Sequence, residues 1–360
     1  MDPVNVLEFE ALARECIDRH AFDFIAGGSD DEVTLGTNRT AYERIVFRPR
    51  VLVDVSAVDT STEILGRRIA LPILLAPTAF QTMVHPDGEL ATARAAAEAG
   101  TVMVVSTLAS CTVEEIGAAA AGPKWFQLYC YKEKRVTEEL VRRAETAGYE
   151  AICLTVDVPR LGRREQDFRN VFALPPGILP KNFEGTADLA KVSPAEHGSI
   201  VAAYVAGLLD DGLTWDDVAW LKSITSLPVW VKGILTPEDA TLSADAGVDG
   251  IIVSNHGGRQ LDGSPATIDV LPEIREAVGE GIPLLVDGGI RRGTDVVKAL
   301  ALGARGVLIG RPYLWGLAVG GQSGVARVLE MLRVEIELAM ALCGCPTVGD
   351  VTRRHVDLRR

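Results

Sequence analysis

The sequence predicts an α/β fold, a (β/α)8 barrel of the TIM type, from three observations. Eight short apolar runs recur along the chain, and most are continuously apolar, as in strands buried on both faces. Each run ends in polar or small residues, and Ala-rich amphipathic segments separate several of them. Eight strand-then-helix units in one chain are typical of a closed barrel. The runs lie at residues 71–79, 101–107, 124–129, 150–157, 228–233, 249–255, 282–289 and 306–311.

The segments between the runs carry signals of helix ends. Two segments begin with residues that favour a helix start, Thr236-Pro237-Glu238 and Gly293-Thr294-Asp295. An open doubly wound sheet is the alternative, but it does not require eight units, and no G-x-G-x-x-G follows the first run. Four segments end in Gly, which commonly stops a helix: residues 88–100, 136–148, 236–247 and 292–303.

We interpret residues 1–360 as a single domain. Residues 1–65 would form helices and a short hairpin packed on the barrel, which itself would span residues 66–345. The segment 175–212 in the fourth unit is largely rich in Pro, Gly and polar residues, and it predicts a mobile loop over the active-site end of the barrel. Its apolar part, residues 199–209, is too short to span a bilayer. The final RRHVDLRR is predicted to be a solvated tail.

The charge and cysteine content limit the classes of partner. The chain has 36 Lys and Arg against 49 Asp and Glu, a net charge of −13, so it has no general attraction for nucleic acid or anionic lipid. Its six cysteines match no zinc spacing, and we predict no metal site. The N-terminus lacks an apolar signal core. We expect a cytoplasmic protein that binds neither nucleic acid nor a membrane.

Polar residues at the ends of the apolar runs predict the place of the active site. In a barrel, all eight strand ends project to the same C-terminal face, where active sites of this fold are built. Eight such ends in succession are hard to explain as separate structural polar groups. The residues are Thr78, Ser106, Gln127 with Tyr129, Thr155 with Asp157, Lys232, Ser254 with His256, Asp287 and Arg311.

A phosphate site is predicted at the ends of the last two runs. Asp287-Gly288-Gly289 ends the seventh run, and Gly310-Arg311 ends the eighth. Glycines let backbone N–H groups approach an anion, a helix N-terminus adds positive charge, and loops at these positions usually bind phosphate. Arg291 and Arg311 can each add a bidentate contact. A flat heteroaromatic with a phosphate tail would also use the other polar strand ends, which suggests flavin mononucleotide (FMN).

Eight motifs of the chain are specific in combination. They are SNHGGRQLDG (254–263), PTA (77–79), FQLY (126–129), LTVD (154–157), RLGRRE (160–165), VKGI (231–234), DGGIRRGTDV (287–296) and IGRP (309–312). With these motifs the chain resembles the FMN-dependent (S)-2-hydroxy acid oxidases, a family that includes glycolate, lactate and hydroxymandelate oxidases. The resemblance extends from about residue 5 to 350.

The resemblance implies a role for each matching residue. His256 would be the catalytic base with Asp157 as its charge partner, and Arg164, Arg259 and Tyr129 would hold the substrate carboxylate. Lys232 would lie near the flavin pyrimidine. The FMN ring and chain would contact Pro77, Thr78, Ala79, Ser106, Gln127, Thr155, Lys232 and Ser254. The phosphate would lie at Asp287, Gly288, Gly289, Arg291, Gly310 and Arg311.

General chemistry agrees with these implied roles. Two arginines offer fork-shaped recognition of a carboxylate, and histidine is the natural base at neutral pH. A carboxylate stabilises the imidazolium that forms, and a lysine stabilises negative charge on a reduced flavin. Because His256 and Arg259 are three residues apart, one loop can present both, and Gly257-Gly258 permits the sharp turn.

Two positions depart from the family pattern and bear on the substrate. Family members commonly have a Tyr whose hydroxyl contacts the substrate carboxylate, whereas this chain reads Phe22-Asp23-Phe24-Ile25. Losing such a charge-assisted hydrogen bond costs about 1.5–3 kcal/mol if nothing replaces it. Glycolate oxidases usually carry Trp where this chain has Leu108. Phe24 and Leu108 therefore predict a lactate-like or larger, aromatic substrate rather than glycolate alone.

We expect FMN-dependent oxidation of an (S)-2-hydroxy acid to the 2-oxo acid, with O2 reoxidising the flavin to give H2O2. The resemblance also suggests a homotetramer or a higher homo-oligomer. A dehydrogenase that passes electrons to a quinone or another acceptor is the nearest alternative. A non-redox FMN- or phosphate-binding barrel, such as an isomerase, and a non-catalytic flavin-binding protein are more distant ones. The sequence leaves open whether His256 takes the α-proton or the hydroxyl proton.

Overall fold

The computed structural model describes residues 3–183 and 200–358, and eight parallel strands within them close into a barrel. We number strands and helices along the chain, so that the barrel consists of β4–β11. Each predicted apolar run overlaps one barrel strand, which confirms the predicted fold. The strands are β4 (Ile73–Leu75), β5 (Met103–Val105), β6 (Lys124–Leu128), β7 (Ala151–Thr155), β8 (Val229–Ile234), β9 (Gly250–Val253), β10 (Leu284–Val286) and β11 (Gly306–Ile309).

The barrel closes where β11 pairs with β4, with Val307 opposite Ile73 and Ile309 opposite Leu75. Each strand is apolar on both faces because one face packs inside the barrel and the other lies under the helices. Trp125 and Trp230 meet inside, with ring centroids 5.0 Å apart. The buried interior cluster takes one residue from each barrel strand except β7, which contributes two: Leu74, Val104, Trp125, Ala151, Cys153, Trp230, Ile252, Leu285 and Leu308.

Helices follow the barrel strands, and the four segments predicted to be helical are helical. Each of those four helices ends two residues before its Gly. The last helix, α13, is kinked at Gly320 and Gly321, which have non-helical backbone angles. The helices are α4 (Gly88–Glu98), α5 (Val113–Ala119), α6 (Lys134–Thr146), α7 (Glu165–Arg169), α8 (Ile200–Leu208), α9 (Trp215–Ile224), α10 (Pro237–Asp245), α11 (Thr267–Val278), α12 (Gly293–Ala301) and α13 (Arg311–Cys343).

The N-terminal segment contains helices α1 (Val6–Cys16), α2 (Arg19–Ala26) and α3 (Val33–Thr40), and α1 packs along α13. A hairpin of β2 (Thr62–Ile64) and β3 (Arg67–Ile69) follows and crosses the predicted boundary at residue 65. The prediction of a solvated C-terminal tail is wrong for β12 (Val356–Leu358). This strand pairs antiparallel with β1 (Ile45–Phe47), because Val356 is apolar and is buried there.

The predicted loop region 175–212 is only partly a loop. Residues 184–199 of it lie outside the described part of the chain. The prediction is wrong for residues 200–208, since these apolar residues form helix α8. Tyr204 of α8 hydrogen-bonds Tyr131 at 2.8 Å between hydroxyl oxygens, and both rings pack on Phe183. Over residues 3–183 and 200–358, no helix has the length and apolar character needed to cross a membrane.

Candidate active site

One cavity opens at the C-terminal ends of the barrel strands, as the polar strand ends predict. It is lined by nearly all of the predicted site residues, although they come from every part of the chain. Asp157 and Ser254 do not line it and lie behind its wall. The predicted residues that line the cavity are Phe24, Pro77, Thr78, Ala79, Ser106, Leu108, Gln127, Tyr129, Thr155, Arg164, Lys232, His256, Arg259, Asp287, Gly288, Gly289, Arg291, Gly310 and Arg311.

His256 and Asp157 form a hydrogen-bonded pair beside the cavity. The His256 Nδ1 lies 2.9 Å from the Asp157 Oδ1, and since an ionised carboxylate only accepts, Nδ1 carries the hydrogen. Burial alone would raise the pKa of Asp157, but the attraction of His256 and Lys232 outweighs it and lowers the pKa below its usual value. The His256 Nε2 is then left as an acceptor, which is the form that a general base requires.

Burial lowers the pKa of His256 below its ordinary value, and the positive charges of Lys232 and Arg164 add to this effect. The negative charge of Asp157 opposes it. His256 has a positive φ of 58°, and Gly257 and Gly258 follow with φ of 66° and 73°. This run of left-handed residues turns the chain sharply, as predicted, and gives His256 a conformation that few non-glycine residues adopt.

Lys232 stays protonated although it is buried. Burial alone would lower the pKa of Lys232, but the carboxylates of Asp287 and Asp157 raise it above its ordinary value. Its ammonium donates to the Ser254 hydroxyl at 2.9 Å and lies 3.3 Å from the Asp287 carboxylate. An ammonium has three hydrogens, so one remains for a group in the cavity.

The Ser254 hydroxyl, predicted to contact the flavin, is hydrogen-bonded to three protein groups. The Ser254 hydroxyl accepts from the Lys232 ammonium and from the His256 N–H, and it donates to Asp287 at 2.9 Å. Its one donor and two acceptor positions are therefore used within the protein. Ser254 is fully buried and contacts Lys232, Asp287 and the loop that carries His256 from behind.

Four buried polar atoms of cavity-lining residues lack a partner among the described residues. They are the Arg164 Nε, the Asp287 Oδ1 and a pair on the neighbouring strands β6 and β7, the Gln127 Nε2, a donor, and the Thr155 hydroxyl. The opposite end of the Gln127 amide, Oε1, accepts from the Thr107 N–H at 3.2 Å, which holds the amide in one orientation. Buried polar groups are nearly always hydrogen-bonded. The pair therefore fits a flat ligand with polar edge atoms, such as the flavin ring of FMN.

The far end of the cavity fits a phosphate. Arg291, Arg311 and the first turn of α13 meet there beside Gly288 and Gly289. Burial lowers the pKa of Arg311 to about 10, and the positive charge of Arg291 adds to this effect. Arg311 also donates to the carbonyl oxygens of Ile25 and Gly27, both at 2.9 Å, so it reaches the site from a firmly held position. Two neighbouring guanidinium groups at a helix N-terminus form a site for an anion.

Two further residues predicted to contact FMN, Asp287 and Thr78, are also hydrogen-bonded to protein groups. The Asp287 N–H donates to Val253, and its carboxylate is turned to Lys232 and Ser254, so Asp287 has no donor for a phosphate. A carboxylate at this place suits hydroxyl donors of a ribityl chain instead. The Thr78 hydroxyl is bonded to the Tyr313 hydroxyl and accepts from Gln81 at 3.1 Å. Thr78 is thus left with its methyl and backbone for a ligand.

Arg164, Arg259 and Tyr129 line the same cavity as His256. Arg164 is buried, and its Nε has no partner among the described residues. One nitrogen of Arg259, Nη1, donates to the carbonyl oxygens of Phe24 at 2.8 Å and Gly27 at 2.7 Å. Burial raises the pKa of Tyr129 to about 12, so its hydroxyl keeps its hydrogen. Two guanidinium groups and a neutral phenol together suit a carboxylate.

Phe24 fills the position where the family pattern has a tyrosine. Its ring stacks on Phe172 with centroids 4.4 Å apart and an interplanar angle of 7°. The guanidinium carbons of Arg259 and Arg164 lie 5.2 Å and 5.9 Å from its centroid. The ring therefore supports both arginines through cation–π contacts, although it offers no hydrogen bond.

Comparisons with known proteins agree with this geometry. The FMN-dependent dehydrogenase family matches residues 13–358 of the chain. Glycolate oxidase 3 of Arabidopsis thaliana is 54% identical over 356 residues, which cover 99% of this chain and 96% of the plant protein. The chain belongs to the FMN-dependent dehydrogenase family. FMN is its cofactor, and its relatives are 2-hydroxy acid oxidases.

Further relatives of this FMN-dependent enzyme are named as glycolate oxidases or mandelate oxidases. Glycolate oxidase 1 of Zea mays is 55% identical over 98% of this chain and 95% of its own. The solved structure of mandelate oxidase with (S)-4-hydroxymandelic acid has a TM-score of 0.93 at 48% identity and covers 99% of both chains. The resemblance and the barrel fold predicted from the sequence are thereby confirmed.

Sequence reasoning missed several residues of the site in this family member. Leu161 and Val201 line the cavity, and Phe172 supports Phe24 from behind. Val201 belongs to α8, whose apolar sequence was the one available signal. Tyr313 lies between Thr78, Gln81 and the carbonyl oxygen of Ala76, and nothing in its sequence context marks it.

Proposed function

We propose that the protein oxidises an (S)-2-hydroxy acid to the 2-oxo acid, with O2 regenerating the flavin and yielding H2O2. One observation supports this proposal most strongly. The cavity that fits FMN also holds a neutral histidine paired with a carboxylate and two arginines beside a protonated tyrosine. A base next to a site for a carboxylate is what removal of a proton from a hydroxy acid requires.

Each residue of the site has a separate role in the proposed reaction. Arg164 and Arg259 hold the substrate carboxylate, and the Tyr129 hydroxyl donates to the substrate. The His256 Nε2 accepts a proton, and Asp157 stabilises the imidazolium that results. FMN, when bound, accepts the two electrons of the oxidation. Lys232 offsets the negative charge that the cofactor gains.

We further propose a substrate with a side chain larger than that of glycolate. Leu108, Leu161 and Val201 give the cavity apolar surface, and Phe24 adds an aromatic face without a hydroxyl. Burial of apolar substrate surface contributes about 25 cal/mol per Å², so a lactate-like or aromatic side chain gains affinity that glycolate lacks. The mandelate oxidase neighbour, which binds (S)-4-hydroxymandelic acid, agrees with an aromatic choice.

A substrate panel tests the proposal. Purified protein with FMN bound is mixed anaerobically with glycolate, (S)-lactate and (S)-mandelate, and the flavin absorbance is followed. We expect bleaching that is fastest with lactate or mandelate, followed by one H2O2 per turnover once air is admitted. No bleaching by any member would refute a hydroxy acid as the substrate. Bleaching without peroxide would point to a dehydrogenase that uses another acceptor.

We also propose that the protein is a homotetramer or a higher homo-oligomer in the cytoplasm. All six cysteines are free thiols, which fits a reducing compartment. Exposed apolar side chains lie on the loop at residues 50–53 and on the outer face of the adjoining C-terminal part of α13: Val51, Leu52, Val53, Leu338 and Leu342. Soluble monomers rarely leave contiguous apolar surface uncovered, so this surface supports an oligomer.

Light scattering tests the oligomeric state and should give at least four times the chain mass of 38.5 kDa. A monomer in that measurement would contradict the proposal.

A further inference from the structure

Helix α3 lies against the loop that carries His256, although the two are far apart in sequence. The N–H groups of Val33 and Thr34 at the start of α3 donate to the Asp262 carboxylate at 3.2 Å and 2.7 Å. A Cβ atom added at Gly258 would lie 2.7 Å from the backbone of Leu35. The N-terminal segment therefore forms part of the support of the catalytic loop.

Asn38 makes the most specific of these contacts. It is buried, and its amide exchanges two hydrogen bonds of 2.8 Å with the amide of Asn255, one in each direction. Asn255 directly precedes His256, and its Oδ1 also accepts from the Gly258 N–H at 3.1 Å. The Asn255 amide thus spans the left-handed turn on which His256 sits. Since a positive φ is unfavourable for histidine, contacts such as these must hold the turn.

The same part of α3 also contacts the turn at the phosphate end of the cavity. A Cβ atom at Gly289 would lie 1.9 Å from the Asn38 carbonyl oxygen, so only glycine fits there. Arg39 donates from Nη1 to the carbonyl oxygen of Gly289 at 3.1 Å. Asn38 itself does not line the cavity. Its side chain holds one loop of the site, and its backbone packs against the other.

We infer that Asn38 is a positioning residue that aligns the loop bearing His256 with the turn that receives the FMN phosphate. The inference rests on the proposed function for the role of His256 as the base. Asn38 acts through Asn255 and touches neither substrate nor cofactor. A displacement of about 1 Å caused far from the chemistry can cost about 100-fold in rate.

Two variants test the inference. Asn38→Ala removes the amide, and Asn38→Asp keeps its shape but places an acceptor opposite the Asn255 Oδ1. We expect both to weaken FMN binding to the apoprotein, followed by FMN fluorescence, by about 10-fold or more. We expect anaerobic flavin reduction to slow by about 10- to 100-fold, with KM changing less than kcat. Asn5→Ala, which removes the cap of α1, is the control for general destabilisation of the N-terminal segment and should change neither quantity.

A double-mutant cycle with Asn255→Ala separates positioning from damage. If Asn38 acts through Asn255, Asn38→Ala should add little to the loss of Asn255→Ala, since effects in one network are not additive. The inference would be overturned by additive losses or by losses equal to those of Asn5→Ala. It would also be overturned if both Asn38 variants gave normal values, or if both failed to fold while Asn5→Ala folds. Reduction of the wild type by substrate tests the proposed function separately, so the two failures are distinguishable.

Discussion

At the scale of single residues, the chemistry of the site depends on which hydrogens and lone pairs the protein leaves unused. The Gln127 Nε2 and the Thr155 hydroxyl have no partner among the described residues and can bond a ligand. The hydroxyls of Ser254 and Thr78 are instead hydrogen-bonded to protein groups. The sequence predicted which residues gather at the site. It did not predict these partners, because a hydroxyl at a strand end can turn to the cavity or to a neighbouring side chain.

The charge partner of His256 has a measurable effect on the pH dependence. Because burial lowers the pKa of His256 and the base must be unprotonated, kcat/KM should rise with pH through a pKa below the ordinary value of about 6.5. In Asp157→Asn the attraction that raises this pKa is lost. We expect the acid limb to move to lower pH and the plateau to fall at least about 10-fold. A limb that moves to higher pH would contradict the proposed pairing.

Phe24 is predicted to weaken the binding of small substrates relative to a tyrosine at the same position. In Phe24→Tyr a hydroxyl is added near Arg164 and Arg259, and one charge-assisted hydrogen bond is worth about 1.5–3 kcal/mol. We expect about 10- to 100-fold lower apparent KM for glycolate and lactate, measured by peroxide formation. Phe168→Tyr, at an exposed position on α7, is the matched control. Unchanged or weaker affinity in Phe24→Tyr would show that the missing hydroxyl is irrelevant.

At the scale of elements, helix α2 of the N-terminal segment contributes Phe24 and Ile25 to the wall of the cavity. The carbonyl groups at the C-terminal end of α2 accept from Arg259 and Arg311, where the helix dipole favours positive charge. Apolar runs predicted all eight barrel strands because a buried parallel strand leaves a strong pattern. Strand β12 and helix α8 were missed, because a three-residue strand and a short apolar helix leave too weak a pattern.

The pairing of β1 with β12 gives a prediction at this scale. Val356 is buried opposite Phe47, whereas Leu358 on the same strand is more than half exposed. We expect Val356→Ala to lower the free energy of unfolding by at least about 1 kcal/mol, and Leu358→Ala to change it little. Denaturant titration of the FMN-bound protein measures both values. Equal effects of the two substitutions would show that β12 does not pack as described.

At the scale of the whole molecule, the barrel brings together residues from Phe24 to Arg311 that no local pattern connects. The fold and most of the cavity were predictable, since strand ends of a barrel share one face. The substrate was not, because it depends on the shape of apolar surfaces such as Leu161, which lies on a loop, and Val201, which lies on α8. The net charge of the chain, −13, does not help to predict the site, because the positive groups of the site are local exceptions in an acidic chain.

The central claim is that His256 removes a proton from a hydroxy acid held beside FMN. The most direct test compares the rate constants of anaerobic flavin reduction in wild type and in His256→Ala, with His355→Ala as a control outside the cavity. We predict that His256→Ala retains FMN but is reduced at least about 100-fold more slowly, while His355→Ala matches wild type. Reduction of FMN-bound His256→Ala at nearly the wild-type rate would contradict the account.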